Sequence, residues 1–387
     1  MFVRLTIIEL RHIFKNILFY VLILLTFLFT ILQVDMDVSQ YPKKPVPPDE
    51  MKQEGLGEFA PYGKKRVTDP QRIMEITYKQ ELSFAAQQGE ILKNYLIINK
   101  SEKLNKKQVN AIKKAMSAIA PDGIKSGGSI DIAINYKEFL SLMDQLDSEL
   151  GGKTPFASKK LEGTLTEPKT YEDAIKSYHI LTDKDLYTRA VARYVADYLG
   201  LALGVLPFFL AAFIFLKDKK NKMEELIMSK QVLGYYYVGA KFTAICIALF
   251  VSVIVFALYY TIQAFRLHQN GYDVDLFAFI PTFMIWLFPT IMGSVAISMF
   301  TSLLFKSFIP SLFVQLFCWV VSIIPIEGDY RLYKLFIRHN SFEPIRADDF
   351  ALFAINRIFI TGVAILLIVI TALIWEKRRT KIGEQID

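Results

Sequence analysis

The sequence has few of the residues that build disulfide scaffolds, metal centres or common catalytic sites. Its 387 residues include two cysteines and four histidines. Cys246 and Cys318 both lie in apolar runs, which excludes a disulfide framework and a paired-cysteine metal motif. The sequence has no HExxH or GxSxG motif, and the predicted topology keeps the histidines apart. We therefore predict no catalytic residue, no metal ligand and no cofactor-binding residue in this chain.

The apolar runs themselves lack charge. No Asp, Glu, Lys, Arg or His is predicted in the core of any run, and the nearest charges, Asp197 and Arg357, are expected at outer ends. Secondary transporters and proton pumps usually need an ionisable residue within the bilayer to bind the coupling ion. If this protein moves a substrate, we therefore expect its energy to come from outside the bilayer.

Apolar residues dominate the composition. They make up 53% of the chain, with 31 phenylalanines and a mean hydropathy of +0.31, far more than a soluble domain of this size needs. The net charge of +7 comes mainly from lysines and arginines at the ends of apolar runs. This pattern sets membrane topology and does not form a nucleic-acid-binding face. Membrane lipids are expected partners, and nucleic acid is not.

The runs predict an all-α integral membrane protein with six transmembrane helices and a mostly helical extracytoplasmic domain between spans 1 and 2. The predicted spans are residues 17–34, 194–216, 242–265, 276–305, 308–326 and 355–375, and the extracytoplasmic domain is 35–193. A signal peptide is the competing interpretation of 17–34, but no small-x-small cleavage pattern follows it. Counting crossings places both termini, including the basic tail 376–387, on the cytoplasmic side of the cell membrane.

Two shorter segments flank these spans. Residues 1–16 place Arg4, Arg11 and Lys15 on one side of a helix, a pattern typical of a cytoplasmic helix in the headgroup layer. Residues 327–354 form an external loop, in which we predict an amphipathic surface helix with Leu332, Leu335 and Phe336 facing lipid.

The connector between spans 2 and 3, residues 217–241, is rich in lysine, which indicates a cytoplasmic location. Met223, Leu226, Ile227 and Lys230 follow at helical spacing, so a short surface helix is expected. Such a helix between two spans is a plausible docking point for another protein.

The connector resembles the cytoplasmic coupling segment of ABC-2 type permeases, the membrane subunits of bacterial ATP-binding-cassette (ABC) exporters. In that segment an acidic residue, a run of leucines and a serine precede Pro-Val, and Gly-Lys opens the next span. The matching residues here are Glu225, Leu226, Ile227, Met228, Ser229, Val232 and Lys241, with Glu224 beside them. Lys222 stands where a glycine is common, and Gln231 and Ala240 replace the proline and the glycine of the pattern. The predicted layout is similar over nearly the whole chain.

The resemblance implies a half-transporter that pairs with a second copy or a paralogous permease. Each half would receive a separate ABC ATPase, which binds ATP and Mg²⁺, at the connector and the N-terminal helix, and the pair would export a hydrophobic or amphipathic compound such as a peptide antibiotic or a lipid. The ATPase must be another chain. Gly152-Lys153-Thr154 resembles the end of a P-loop, but Asp147 occupies the first glycine position. The alternative is a membrane-anchored receptor or secretion scaffold that acts through its extracytoplasmic domain.

Overall fold

The computed structural model describes residues 1–39, 44–50, 61–94, 99–158, 160–161, 165–213, 215, 232–269, 271–324 and 328–383. These residues are mostly helical, with two small antiparallel sheets that pair Lys64–Arg66 with Thr166–Pro168 and Glu90–Asn94 with Asn99–Lys103. The helices are α1 (Phe2–Phe14), α2 (Ile17–Ser39), α3 (Pro70–Ile76), α4 (Ser83–Gln88), α5 (Lys106–Ile119), α6 (Tyr136–Glu149), α7 (Tyr171–His179), α8 (Tyr187–Leu203), α9 (Pro207–Ala211), α10 (Gly234–Gln269), α11 (Phe279–Phe305), α12 (Phe308–Ile323) and α13 (Ala347–Gly383). The strands are β1 (Lys64–Arg66), β2 (Glu90–Asn94), β3 (Asn99–Lys103) and β4 (Thr166–Pro168).

The chain divides into a helical unit, Met1–Lys44 with Ser177–Asp387, and a smaller unit, Pro45–Lys176.

Among the described residues of the helical unit, five stretches are long and apolar enough to cross a membrane. They are Ile17–Asp35, Tyr187–Ala211, Gly234–Gln269, Phe279–Phe305 and Asp349–Thr380. α12 is also apolar but has 16 residues, fewer than the ~20 that cover the hydrocarbon core. The described part of the chain is thus mostly helical with little sheet, which is compatible with the predicted all-α, multi-pass membrane protein. The sixth span stays a prediction.

The first helix, α1, is amphipathic and packs along α10. Thr6 and Ile13 are buried, while the basic side chains of α1 are exposed. Gly239 allows this close approach, because a Cβ there would lie 3.2 Å from Phe2 Cε2. The side chain of Asn16 accepts a hydrogen bond from the Leu18 backbone at 3.0 Å, which separates α1 from α2.

The regular α-helix is interrupted between α8 and α9. Gly204 directly follows α8, and Pro207 is the first residue of α9. Pro207 has no backbone N–H to donate. The Gly204 carbonyl accepts hydrogen bonds from Gln315 Nε2 at 2.5 Å and from Ser294 Oγ at 3.3 Å. α11 and α12 therefore supply the polar partners that a broken helix needs inside an apolar bundle.

Residues 328–346 differ from the sequence prediction. The amphipathic surface helix is wrong, because this segment has irregular backbone and Leu335, Phe336 and Ile337 are buried; Leu332 alone of the three predicted lipid-facing residues is exposed. Two glycines, one directly after α8 and one within α11, make room for the segment. A Cβ at Gly204 would lie 2.6 Å from Phe336 Cδ1, and one at Gly293 would lie 2.7 Å from Leu335 Cδ1. Irregular backbone is tolerated within a helical bundle when protein groups satisfy it.

The smaller unit has its own apolar core. α5 buries Ile112, Ala115 and Ile119 at helical spacing, and the buried face of α6 contains Phe139. Both helices begin with capping boxes, formed by Asn105 with Gln108 and by Asn135 with Glu138. The Gly152-Lys153-Thr154 sequence belongs to a turn, in which the backbone N–H of Thr154 donates to Asp147 Oδ1 at 2.8 Å.

Candidate functional site

The predicted coupling residues fall in two groups. Glu224, Glu225, Leu226, Ile227, Met228 and Ser229 lie outside the residues that the structure describes. Val232 is half-buried against the core of the helical unit. Lys241 lies in the second turn of α10, with its side chain only 6% exposed. The end of the connector is therefore part of the packed bundle.

Lys241 joins α10 to α1 by an ion pair. Its Nζ lies 3.1 Å from Glu9 Oε1 and 4.9 Å from the centre of the Tyr237 ring. A buried ammonium group needs such compensation, because removal of one partner leaves an unpaired charge in an apolar environment. We therefore interpret Lys241 as a positioning residue for α1.

The start of α10 is also fixed to the end of α13. The backbone N–H of Gly234 donates to Glu376 Oε2 at 2.6 Å, and the Tyr237 ring stacks on Trp375 with centroids 4.7 Å apart. Gly234 is required here, because a Cβ would lie 2.8 Å from the Ala372 carbonyl oxygen. We call the assembly of α1, Gly234–Lys241 and residues 372–379 the junction.

The junction presents a basic surface. Arg4, Arg11 and Lys15 are all exposed on α1. Their side chains are available to the acidic face of a partner protein or to anionic headgroups. The junction thus joins α1, with its exposed basic side chains, to the long helices α10 and α13.

A second set of charged residues lies deeper in the helical unit. Asp185, Arg189, Arg193 and Asp197 follow each other at four-residue intervals, and we call them the charged stripe. Arg193 Nη1 donates to Asp185 Oδ1 at 3.0 Å, and Arg193 Nη2 donates to the Phe342 carbonyl at 3.0 Å. Arg189 Nε donates to Asp275 Oδ2 at 2.9 Å. The stripe connects α8 to the segment 328–346 and to residue 275.

Asp197 is the fully buried member of the charged stripe, and it lies in the middle of α8. Its predicted place at the outer end of a span stays a prediction. Its Oδ2 accepts a hydrogen bond from the Asn340 backbone at 2.8 Å, and its Oδ1 lies 3.7 Å from Arg338 Nε. The negative charge is thus compensated inside the protein by a guanidinium group and a backbone dipole.

Arg357 was also expected at an outer end, and it lies near the start of the apolar stretch of α13 with its side chain buried. Its Nη1 donates to the Trp286 carbonyl at 3.0 Å and to Thr290 Oγ1 at 2.9 Å. Thr290 Oγ1 in turn donates to the Leu335 carbonyl at 3.2 Å. One buried guanidinium group therefore holds α11, α13 and the segment 328–346 together.

The side chain of Lys334 binds the backbone carbonyls at the C-terminal end of α12. Its Nζ donates to the carbonyls of Ile324 at 2.5 Å and Ser322 at 3.1 Å, and it lies 3.4 Å from Asp329 Oδ2. Burial lowers the pKa of Lys334, while the nearby Asp329 carboxylate opposes this shift. Burial and a hydrogen bond to the same carboxylate raise the pKa of Tyr333 to about 12.

These contacts are structural in kind. Among the residues that the structure describes, no group of three or more His, Cys, Asp or Glu side chains could hold a metal ion. The pairings of Glu9 and Arg338 could not be predicted from local patterns, because their partners Lys241 and Asp197 are far away along the chain. Lys334 has nearby partners, but its charge argued against burial. The four-residue spacing of the charged stripe was visible and could have identified it.

No protein-family model, curated protein or solved structure matches this chain.

Proposed function

We propose that this protein is the membrane subunit of an ABC-2 type exporter. It works as a half-transporter with a second copy or a related permease, and a separate ABC ATPase supplies the energy from ATP and Mg²⁺. The exported compound is hydrophobic or amphipathic. This proposal puts both termini and the connector in the cytoplasm and the smaller unit outside the cell membrane.

The observation that supports the proposal most strongly is the junction. The predicted coupling segment ends at Lys241, and Lys241 is bound to Glu9 on the amphipathic N-terminal helix. A load applied to the connector by an ATPase would act on α1 through this ion pair and on α13 through Gly234 and Glu376. Such a fixed connection is what a membrane subunit driven from outside the bilayer needs.

The buried charges also fit this proposal. An ion-coupled transporter needs a carboxylate that binds and releases its ion during each cycle. Asp197 is instead held by Arg338 and the Asn340 backbone. We interpret it as a structural residue that fixes the segment 328–346.

The proposal predicts that an ABC ATPase is encoded beside this protein, and the test is co-purification with that ATPase. We expect the wild-type chain to retain the ATPase and to stimulate its ATP hydrolysis in lipid nanodiscs. Charge reversal at Glu224 and Glu225, or Leu226→Asp, should abolish association without preventing membrane insertion. The matched control is Glu149→Lys, a charge reversal on an exposed acidic residue of the smaller unit.

Two results would contradict the proposal. Normal ATPase retention by the connector variants would remove the assigned docking segment. A wild-type chain that neither binds the neighbouring ATPase nor changes its activity would favour the receptor or scaffold alternative.

A further inference from the structure

A cavity of about 430 Å³ opens among the first turns of α8, α11 and α13. Its polar wall contains Arg189, Arg193 and Asp275, and its apolar wall includes Ile285, Trp286 and Phe350. This volume is in the range of sites that bind small molecules or lipid headgroups. Convergent polar groups on one side and aromatic groups on the other fit an amphipathic ligand.

The position of the cavity indicates what can reach it. All three helices begin an apolar stretch at this level, namely Tyr187–Ala211, Phe279–Phe305 and Asp349–Thr380. In a membrane, the ends of such stretches lie at the boundary between headgroups and hydrocarbon. Ile285 is 54% exposed and Phe350 is 56% exposed, so the apolar wall continues onto the surface that would face lipid.

Arg189 has donors available for a ligand. Its Nε is bound to Asp275, and among the described residues both terminal amino groups are without a hydrogen-bond partner. The side chain is 51% exposed. Arg193, one helical turn further along α8, is 13% exposed and commits its two terminal amino groups to Asp185 and Phe342. A guanidinium fork with free terminal groups is well suited to bidentate binding of phosphate oxygens.

We propose that this cavity binds a membrane phospholipid, with the lipid phosphate on the terminal amino groups of Arg189 and an acyl chain along Ile285 and Phe350. Arg193 is paired with Asp185, and Asp275 holds Arg189 in place through its Nε. The lipid phosphate is therefore bound by the two terminal amino groups of Arg189. The site goes beyond the proposed export function, and its test needs no ATPase.

The experiment uses the purified full-length chain, stripped of lipid in mild detergent and titrated with phosphatidylglycerol under native mass spectrometry. We expect Arg189→Ala to weaken binding about tenfold, the loss expected for a charge-assisted hydrogen bond. Arg189→Lys should retain part of the affinity, since it keeps the charge and loses the fork. Arg266→Ala is the matched control, because Arg266 is exposed at the end of another apolar helix and does not line the cavity.

Two further ligands test whether binding requires both the phosphate and the acyl chains of the lipid. Diacylglycerol, which has no phosphate, should bind weakly to wild type and equally to Arg189→Ala. Glycerol phosphate, which has no acyl chain, should not displace the lipid at matched concentration. Thermal melting checks that the variants are folded, and Arg189→Gln replaces Arg189→Ala if the alanine variant is not.

The proposal is overturned if wild type and Arg189→Ala bind phosphatidylglycerol with equal affinity, or if diacylglycerol binds wild type as tightly as phosphatidylglycerol does. Displacement of the lipid by equimolar glycerol phosphate would also overturn it, because the cavity would then be a site for free phosphate esters.

Discussion

The two units use charge in opposite ways. Among the described residues of the smaller unit, the buried polar side chains are Thr77 and Thr154, and neither is charged. The helical unit buries Asp197, Lys334 and Arg357. Burying a charge is costly unless it is paired and hydrogen-bonded. The smaller unit therefore depends on apolar packing, whereas the helical unit uses a few buried charges to fix how its segments meet.

The largest expected effect tests the role of apolar packing in the smaller unit. Phe139 is fully buried in the smaller unit, so Phe139→Ala should destabilise that unit by about 4 kcal/mol. Limited proteolysis should show increased cleavage within Pro45–Lys176. Tryptophan fluorescence should change little, because Trp286, Trp319 and Trp375 all lie in the helical unit.

Phe84→Ala is the control for this variant, since Phe84 is 59% exposed. Equal protease sensitivity of the two variants would show that the core of the smaller unit is not built around Phe139.

The second-largest expected effect tests the role of the buried charges in the helical unit. Arg357→Met keeps most of the side-chain volume but leaves the Trp286 carbonyl and Thr290 Oγ1 without their guanidinium partner. We expect a loss of about 3 kcal/mol in the helical unit, measured by thermal melting in detergent with tryptophan fluorescence. Arg331→Met should change melting little, because the Arg331 side chain is 72% exposed. If both variants have the same melting temperature, the buried guanidinium group does not stabilise this unit.

A smaller effect tests the close packing of the segment 328–346. Gly204→Ala places a methyl group 2.6 Å from Phe336 Cδ1, which should cost about 2 kcal/mol. Phe336→Leu should recover part of this loss in the double variant, because the smaller side chain relieves the clash. Gly362→Ala serves as the control, since a Cβ there meets no atom within 4 Å. Additive losses from Gly204→Ala and Phe336→Leu would argue against the contact.

The smallest effect concerns a half-buried ion pair of the smaller unit, Lys65 with Asp173. The Lys65 ammonium group and the Thr170 N–H and hydroxyl groups lower the pKa of Asp173 from 3.8 to about 2. The folded state therefore binds the proton less readily than the unfolded state, so this stabilisation is present above about pH 4 and is lost as the pH falls towards 2. Asp173→Asn should flatten this part of the stability profile in acid titrations. An unchanged profile would show that the pair contributes nothing measurable.

The parts of the fold that the sequence predicted share one physical signal. Runs of about 20 uncharged residues identify membrane helices without reference to any other part of the chain, and the amphipathic pattern of residues 1–16 likewise predicted α1. Both are local properties.

The burial of residues 334–338 was missed because it depends mainly on contacts with other parts of the chain. Lys334 and Arg338 argue against burial in a local window, but their partners are Ile324, Ser322 and Asp197. The two glycines that admit Leu335 and Phe336 lie far earlier in the chain. Lys241 shows the same limit at the candidate site: its place in the motif was visible, and its pairing with Glu9 was not.

The central claim is that the junction transmits force from the connector to the bundle, and exchange of the Glu9 and Lys241 charges tests it most directly. The readout is ATP hydrolysis by the bound partner ATPase in nanodiscs. We expect Glu9→Lys and Lys241→Glu each to abolish stimulation while ATPase binding persists, and the double exchange to restore it in large part. Full stimulation by either single variant would contradict this role of the junction.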